Sequence, residues 1–196
     1  MALLQNQFKN EKGADGKSSM PGQQGPDNRK RKKTASEYKK SLQEKQTLKR
    51  LYGLSEKQFK RYVLESLEKM SRVENVSDEL IKVLEKRLDN TVFRMGVAKS
   101  RSHARQLVSH AYFLVNGKPV NIPSYQVKKG DVISIKPTKT KKLVFTDLAA
   151  LMKKTPFPVW IDMNKDNFNG KVIGDPSLAE VNPPVEISLV FEFYSR

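Results

Sequence analysis

The sequence contains no cysteine, one tryptophan and two histidines in 196 residues. Without cysteine there are no disulfides, no thiolate metal ligands and no cysteine nucleophile, and the composition fits a reducing compartment. A histidine-based metal site is poorly served too, because His103 and His110 stand seven residues apart. On a helix that spacing separates their backbones by roughly 10 Å, whereas two ligands of one zinc bring their nitrogens within about 4 Å of each other. Neither a metal nor any other cofactor is expected. Long apolar runs are also missing: nothing approaches the roughly 18 residues of a membrane span. The opening "MALLQNQFKNEKG" lacks the apolar centre of a secretory signal and the Arg-rich, acid-poor texture of a transit peptide, so a soluble, cytoplasmic chain is expected. No phosphate-cradling "GxxxxGK", dinucleotide fingerprint or nucleophile motif occurs, so catalysis is not expected either.

What the sequence has is positive charge. Lys and Arg number 37 against 21 Asp and Glu, a formal net charge of +16. The excess sits in two blocks: residues 29–62 hold 13 basic and 3 acidic groups, and residues 97–142 hold 10 and 1. Charges mixed for solubility alone would be interspersed, so two segregated blocks point to two contact surfaces for a polyanion. The first block opens with Arg29, Lys30, Arg31, Lys32 and Lys33, behind a stretch rich in Gly, Pro, Ser and Gln that is expected to be flexible. Residues 1–36 therefore read as a flexible basic extension. By itself such a run serves equally as a solvated tail, a nuclear import signal or a nucleic-acid arm.

From Ser36 the pattern turns helical and ends near Gly53. Ser55 and Gln58 form a capping-box pattern, followed by Phe59, Tyr62, Val63, Leu67 and Met70 at spacings of three and four. That stripe makes Phe59 and Tyr62 core residues rather than a base-stacking platform. A third helix is predicted to start at Ser77 or Asp78, with Leu80, Ile81, Leu84 and Leu88 inward. Residues 37–86 thus form a helical domain, with Lys49, Arg50, Lys57 and Arg61 as candidate RNA-facing cations.

Residues 87–136 read as helix, turn, helix and strands. Gly96 suits a helix C-terminus and Ser100 the N-cap of the next helix. In "SRSHARQLVSH", Ala104, Leu107, Val108 and Ala111 fall on one face at 100° per residue, and Ser102, Arg105, Gln106 and Ser109 on the other. "YFLV-NG-KPV" is a hairpin with a type I′ turn, and Pro119 confines its second strand to an edge. "KKGDVISIK" adds a turn and a strand with Val132 and Ser134 opposite Ile133 and Ile135. Arg101 and Arg105 lie one turn apart, and their planar forks suit bidentate phosphate contact. Ser100, Ser102 and the positive end of the helix dipole supply further donors. Lys99, Lys118, Lys128 and Lys129 enlarge the patch where the hairpin ends fold beside the helix.

"RLDNTVFRMGVAKSRSHARQLVSH" followed by "VNGKPVNIPSYQVKKGDVISI" resembles the RNA-binding module named after small-subunit ribosomal protein four. That module also occurs in pseudouridine synthases and in a heat-shock RNA-binding protein. The flanks narrow the resemblance: "PGQQG", "SEYKKSLQEKQTLKRLYGLSEKQFKRY", "PVWIDMNKDNFNGKVIG" and "EISLVFEFYSR" are similar to the ribosomal protein four family itself. The match runs from about Pro21 to Arg196 and favours the bacterial over the organellar form. It implies an α+β fold: a helical domain, an RNA-binding domain over 87–183 with its core at 87–136, and a tail, 184–196, that packs back on the helices. It further implies binding to a helical junction in the 5′ domain of small-subunit rRNA early in assembly, contact with ribosomal protein five, and a place where mRNA enters, with a bearing on translational accuracy. Some members repress their own mRNA.

Carried over residue by residue, the resemblance places Arg87, Arg101, Arg105, Gln106 and His110 on the RNA-facing side, and Leu88, Ala104, Leu107 and Val108 in the core. Arg29 to Lys33 fall near the basic residues where mRNA enters. Two departures stand out: the N-terminal cysteine set that binds zinc in many members is absent, and Gln24 replaces the histidine of "PGQHG". A structural ribosomal protein is the leading expectation. The alternatives, an RNA-modifying enzyme or a stress RNA-binding protein with the same module, would need a catalytic domain or a transient association with subunits. In the tail, "PVEISLVFEFY" alternates Val185, Ile187, Leu189, Phe191 and Phe193 on one face, which predicts a strand, and Trp160 is expected in the core.

Overall fold

Helices in this chain begin where a small polar side chain can take a free backbone N–H. The computed structural model describes residues 36–140, 156–164 and 167–195; the run Arg29–Lys33 and the expected extension lie outside the described residues. Ser36 caps α1 (Glu37–Leu51), Ser55 caps α2 (Glu56–Glu68) and Asn75 caps α3 (Val76–Glu85), each accepting an N–H from two or three residues on. Ser100 does the same for α5 (Arg101–Ser109), accepting from His103 at 3.1 Å. Among these first five helices the exception is α4 (Leu88–Arg94), which has no side-chain cap. Its first two N–H groups, of Leu88 and Asp89, donate to the carbonyls of Tyr125 and Pro123 at 2.8 and 3.1 Å. A loop that precedes β3 thus closes the helix that leads from the helical half towards the sheet.

The strands β1 (Phe113–Val115), β2 (Lys118–Pro119), β3 (Val132–Ile135), β4 (Ile161–Asn164) and β5 (Asn169–Val172) form one antiparallel sheet in the order β2-β1-β3-β5-β4. β2 sits at the edge, as Pro119 requires. The Asn116–Gly117 turn takes positive φ at both positions, 50° and 77°, the type I′ geometry that a right-twisted hairpin favours. Ile133 and Ile135 are buried, opposite the pair Val132 and Ser134 on the other face. The β4–β5 hairpin extends the sheet beyond the sequence reading, because "IDMNKDNFNGKV" is too polar and asparagine-rich to announce two strands.

Two buried clusters follow. Val92, Met95, Leu107, Val108, Phe113, Ile133 and Trp160 fill the space between α4, α5 and the sheet. Leu48, Tyr52, Phe59, Tyr62, Val63, Leu80, Ile81 and Leu84 fill the helical half. That second cluster is completed from far along the chain by Ile187 and Val190. These belong to a helix, not the predicted strand: after the short α6 (Leu178–Val181), residues Ile187–Ser195 form α7. The alternation in "EISLVFEFY" fits either structure, and tertiary context decides. Among the described residues the helical half contains no strand to receive an edge, so an extended tail would leave its N–H and C=O groups unpaired. As a helix it satisfies them itself and turns Ile187, Val190, Phe191 and Tyr194 onto α1 and α2. The whole is α+β.

Glu56 fastens this tail. Its carboxylate accepts from Lys45 Nζ at 2.7 Å, Lys49 Nζ at 2.9 Å and the Tyr194 hydroxyl at 2.7 Å. Burial acts to raise the Glu56 carboxyl, but these three donors outweigh it and bring it from 4.5 down to about 2. A depressed carboxylate contributes stability in full above its unfolded value, and that contribution disappears as pH falls through the folded value. Glu56→Gln should therefore lower the thermal midpoint at pH 7, and the gap from the parent should close as pH falls from about 4.5 to about 2. A gap of equal size at pH 2 and pH 7 would show that the ionic contacts do not hold the tail.

Candidate nucleic-acid interface

The interface starts from how α1 stops. Gly53 turns left-handed at φ +59°, its N–H returns to Arg50 O and the Leu54 N–H to Lys49 O, both at 3.0 Å, the paired bonds of a Schellman ending. This turn leaves the carbonyls of Tyr52 and Gly53 facing α5. Arg105 takes both: Nη2 donates to Tyr52 O at 3.0 Å and Nη1 to Gly53 O, while Nε donates to Asp89 Oδ2 at 2.8 Å. All three donor nitrogens of its fork are thereby directed inward.

Two buried carboxylates organise the other arginines. Asp89 holds Arg87 in a fork, Nε at 3.1 Å and Nη2 at 2.9 Å, and Arg87 Nη1 reaches the Tyr62 hydroxyl at 2.7 Å. Glu85, with no exposed surface, accepts from Tyr52 at 2.7 Å, from Arg94 through two bonds of 2.8 Å, and from Asn90 Nδ2 at 2.6 Å. Burial would raise the Glu85 carboxyl, yet the hydrogen bonds and charge of Arg94, with Tyr52 and Asn90, hold it below the usual carboxylate range. Burial also drives the Tyr52 phenol far upward, with the Glu85 charge second, so it stays a donor. Each carboxylate has a full set of donors, which is what allows an ion to be buried at all.

Arg101 is placed differently. Its Nε donates to the neutral Asn90 Oδ1 at 2.8 Å, and its guanidinium stands over the rings of Phe93 and Tyr52 at 4.6 and 5.0 Å. Glu85 is 3.9 Å away, beyond hydrogen-bond reach. Burial lowers the Arg101 pKa, only partly countered by Tyr52 and Glu85, whereas the carboxylates raise Arg87 and Arg94 against burial. Arg101 borders a cleft of about 310 Å³ between the end of α1 and the start of α5. Its walls are Arg50, Leu51, Tyr52 and Gly53, Phe93, then Lys99, Ser100, Arg101, Ser102 and Arg105. Four cations and no carboxylate line it, and the first backbone N–H groups of α5 open beside them.

The structure therefore gathers Arg50, Lys99, Ser100, Arg101 and Arg105, drawn from both basic blocks, around one opening. It corrects the reading of Arg87, which is 2% exposed and so presents no surface to RNA. Arg105 is likewise less available than expected from its polar face, because its fork is turned to Asp89 and α1. Gln106 and His110 line a separate recess of about 220 Å³ with His103, Leu107 and Tyr112. Lys49 is tied to Glu56. Lys57 and Arg61 are exposed on α2, with Arg61 3.5 Å from Glu65. Lys118 and Lys128 are exposed at β2 and in the loop before β3. Among the described residues no group of three His, Asp or Glu is placed to hold a metal ion.

Sequence reasoning missed Tyr52, Glu85, Asp89 and Asn90. A signal for Glu85 exists: it lies four residues after Ile81 on the buried face of α3, where a carboxylate requires partners. Their contribution is measurable through Arg105→Lys, which keeps the charge but loses the fork. The urea midpoint of this variant should fall by the equivalent of about 1–3 kcal/mol, because Tyr52 O, Gly53 O and Asp89 lose a shared donor; an unchanged midpoint would show that Arg105 does not join the halves.

Two protein families match adjacent parts of the chain. The S4 domain family matches residues 86–133, and the family described as ribosomal protein S4/S9 N-terminal domain matches residues 4–85. The chain is 43% identical over 182 residues to the small ribosomal subunit protein uS4 of Halothermothrix orenii, covering 93% of this chain and 84% of that protein. It is 45% identical over 176 residues to the protein of the same name from Caldicellulosiruptor saccharolyticus, covering 90% and 81%. The uS4 of Thermodesulfovibrio yellowstonii is 44% identical over 177 residues, again covering 90% and 81%. With the two family matches meeting at Glu85 and Lys86, where the helical half passes into the module, the chain belongs to the bacterial-type small ribosomal subunit protein uS4 family.

Proposed function

We propose that the chain is a structural constituent of the small ribosomal subunit, in the cytoplasm, that binds rRNA directly and without catalysis. The observation that carries this is the cleft between α1 and α5, where Arg50, Lys99 and Arg101 meet the start of a helix and no carboxylate forms part of the walls. A-form RNA hides its base edges in a narrow major groove, so a rigid cationic cleft reads junction shape and phosphate position. The cleft spans both halves of the chain, which suits a helical junction in the 5′ domain, where two RNA segments diverge. Binding there early would fix their angle and nucleate assembly. Contact with ribosomal protein five, and a role for Arg29–Lys33 where mRNA enters and in translational accuracy, extend this reading from the resemblance.

Lys99 and Arg50 are exposed and make no ion pair among the described residues, so they test the cleft without disturbing the fold. In Lys99→Glu and Arg50→Glu the affinity for a junction fragment of the rRNA should fall, and the slope of log affinity against log salt should shrink by about 0.7–0.9 for each phosphate no longer neutralised. Unaltered affinity in both would place the RNA elsewhere. A constitutive subunit component also sediments with small subunits through a high-salt gradient; release from the subunits there would favour a transient RNA-binding role.

A further inference from the structure

Asp89 and Asn90 are neighbours at the start of α4 and differ only in carrying a carboxylate or an amide, yet they meet two different arginines of α5. Asp89 meets Arg105 through a carboxylate, and every donor nitrogen of that arginine is engaged within the protein. Asn90 meets Arg101 through an amide oxygen, and only Nε is engaged in a hydrogen bond. The orientation of the amide is set from behind: Nδ2 donates to the Glu85 carboxylate at 2.6 Å and to its backbone carbonyl at 3.2 Å, so Oδ1 is the end presented to Arg101. Asn90 is 2% exposed and Glu85 fully buried, which makes this arrangement a fixed part of the interior.

We infer that Asn90 is a positioning residue for RNA binding: its neutral oxygen locks Arg101 at Nε, and the terminal nitrogens, with Glu85 3.9 Å from Nη2 and beyond hydrogen-bond reach, keep their donors for a phosphodiester at the cleft. The inference rests on the cleft reading above and assigns different tasks to its two α5 arginines. Arg105 joins the halves of the protein, and Arg101 meets the ligand. A carboxylate at position 90 would satisfy Arg101 completely and stand beside Glu85, removing net positive charge at the cleft. A neutral acceptor fixes the guanidinium without cancelling it. The rings of Tyr52 and Phe93 act in the same sense, since they favour a cation over their faces while offering no hydrogen-bond acceptor to its edge.

The test is a double-mutant cycle on the full chain, with affinity for a junction fragment of the rRNA as readout. Asn90→Ala should weaken binding about tenfold when Arg101 is present and change it little in an Arg101→Ala background, with the salt slope falling by about 0.7–0.9 in either single variant. An equal weakening in the two backgrounds, or an unchanged slope in Asn90→Ala, would overturn the inference, since a purely structural residue acts without reference to Arg101. Asn90→Asp, of the same shape, provides a second arm should the alanine variant fold poorly: it too should weaken binding only when Arg101 is present, and undiminished affinity would refute the argument. Lys99→Glu separates the two levels. If it weakens binding while Asn90 and Arg101 prove independent, the cleft stands and the role of Asn90 falls. If Lys99→Glu and Arg50→Glu both leave binding intact, both fall.

Discussion

The buried carboxylate of Glu85 is the constraint on which the arrangement depends. It ends α3 and takes donors from α1 through Tyr52 and from α4 through Asn90 and Arg94, so three helices converge on two oxygen atoms. Burying an ion is costly, and a buried pair adds little net stability over a well-packed apolar cluster. What it does provide is direction. A hydrophobic contact between the halves would tolerate several relative rotations, whereas this set of hydrogen bonds admits one, with the end of α1 and the start of α5 facing each other across the cleft.

The same chemistry explains which parts of the chain were legible in its sequence. Ser55 and Ser100 as caps, the Asn116–Gly117 turn, the apolar stripe of α2 as far as Leu67 and the inward face of α5 as far as Val108 are decided within a few residues, and each is where local pattern puts it. Met70 and Ala111, which continue those stripes in the sequence, lie beyond the helix ends, and Met70 is 65% exposed. Ile187–Ser195 is different. Its alternation satisfies the rule for a strand, and only the surface offered by α1 and α2, more than a hundred residues earlier, selects a helix. The arginines follow the same principle at the level of the site. Arg87, Arg101 and Arg105 look alike in sequence, but their roles are set by Asp89, Asn90, Tyr52 and Gly53. The partners of Arg105 on α1 lie over fifty residues away, and no periodicity announces them.

Charge in this molecule is therefore sorted as well as abundant. The +16 excess suggests a polyanionic partner, yet it does not say which cations meet that partner. Part of the positive charge is consumed by internal carboxylates: Lys45 and Lys49 with Glu56 knit the helical half together, and Lys82 and Lys86 with Asp175 tie α3 to the segment that follows β5. The charge left uncompensated at the α1–α5 cleft is the smaller, more informative share.

The helical half is built from two stretches of chain with the RNA-binding module between them, and α7 supplies its last wall. During synthesis, which runs from the N-terminus, α1 and α2 leave the ribosome long before Ile187 and Val190 exist. Over that interval the module can fold on its own contacts, since its strands and helices are close in sequence. The groove formed by Leu48, Phe59 and Val63 has to wait. α1 is thus made long before it is covered, and the nascent chain carries an open apolar groove until α7 has been translated.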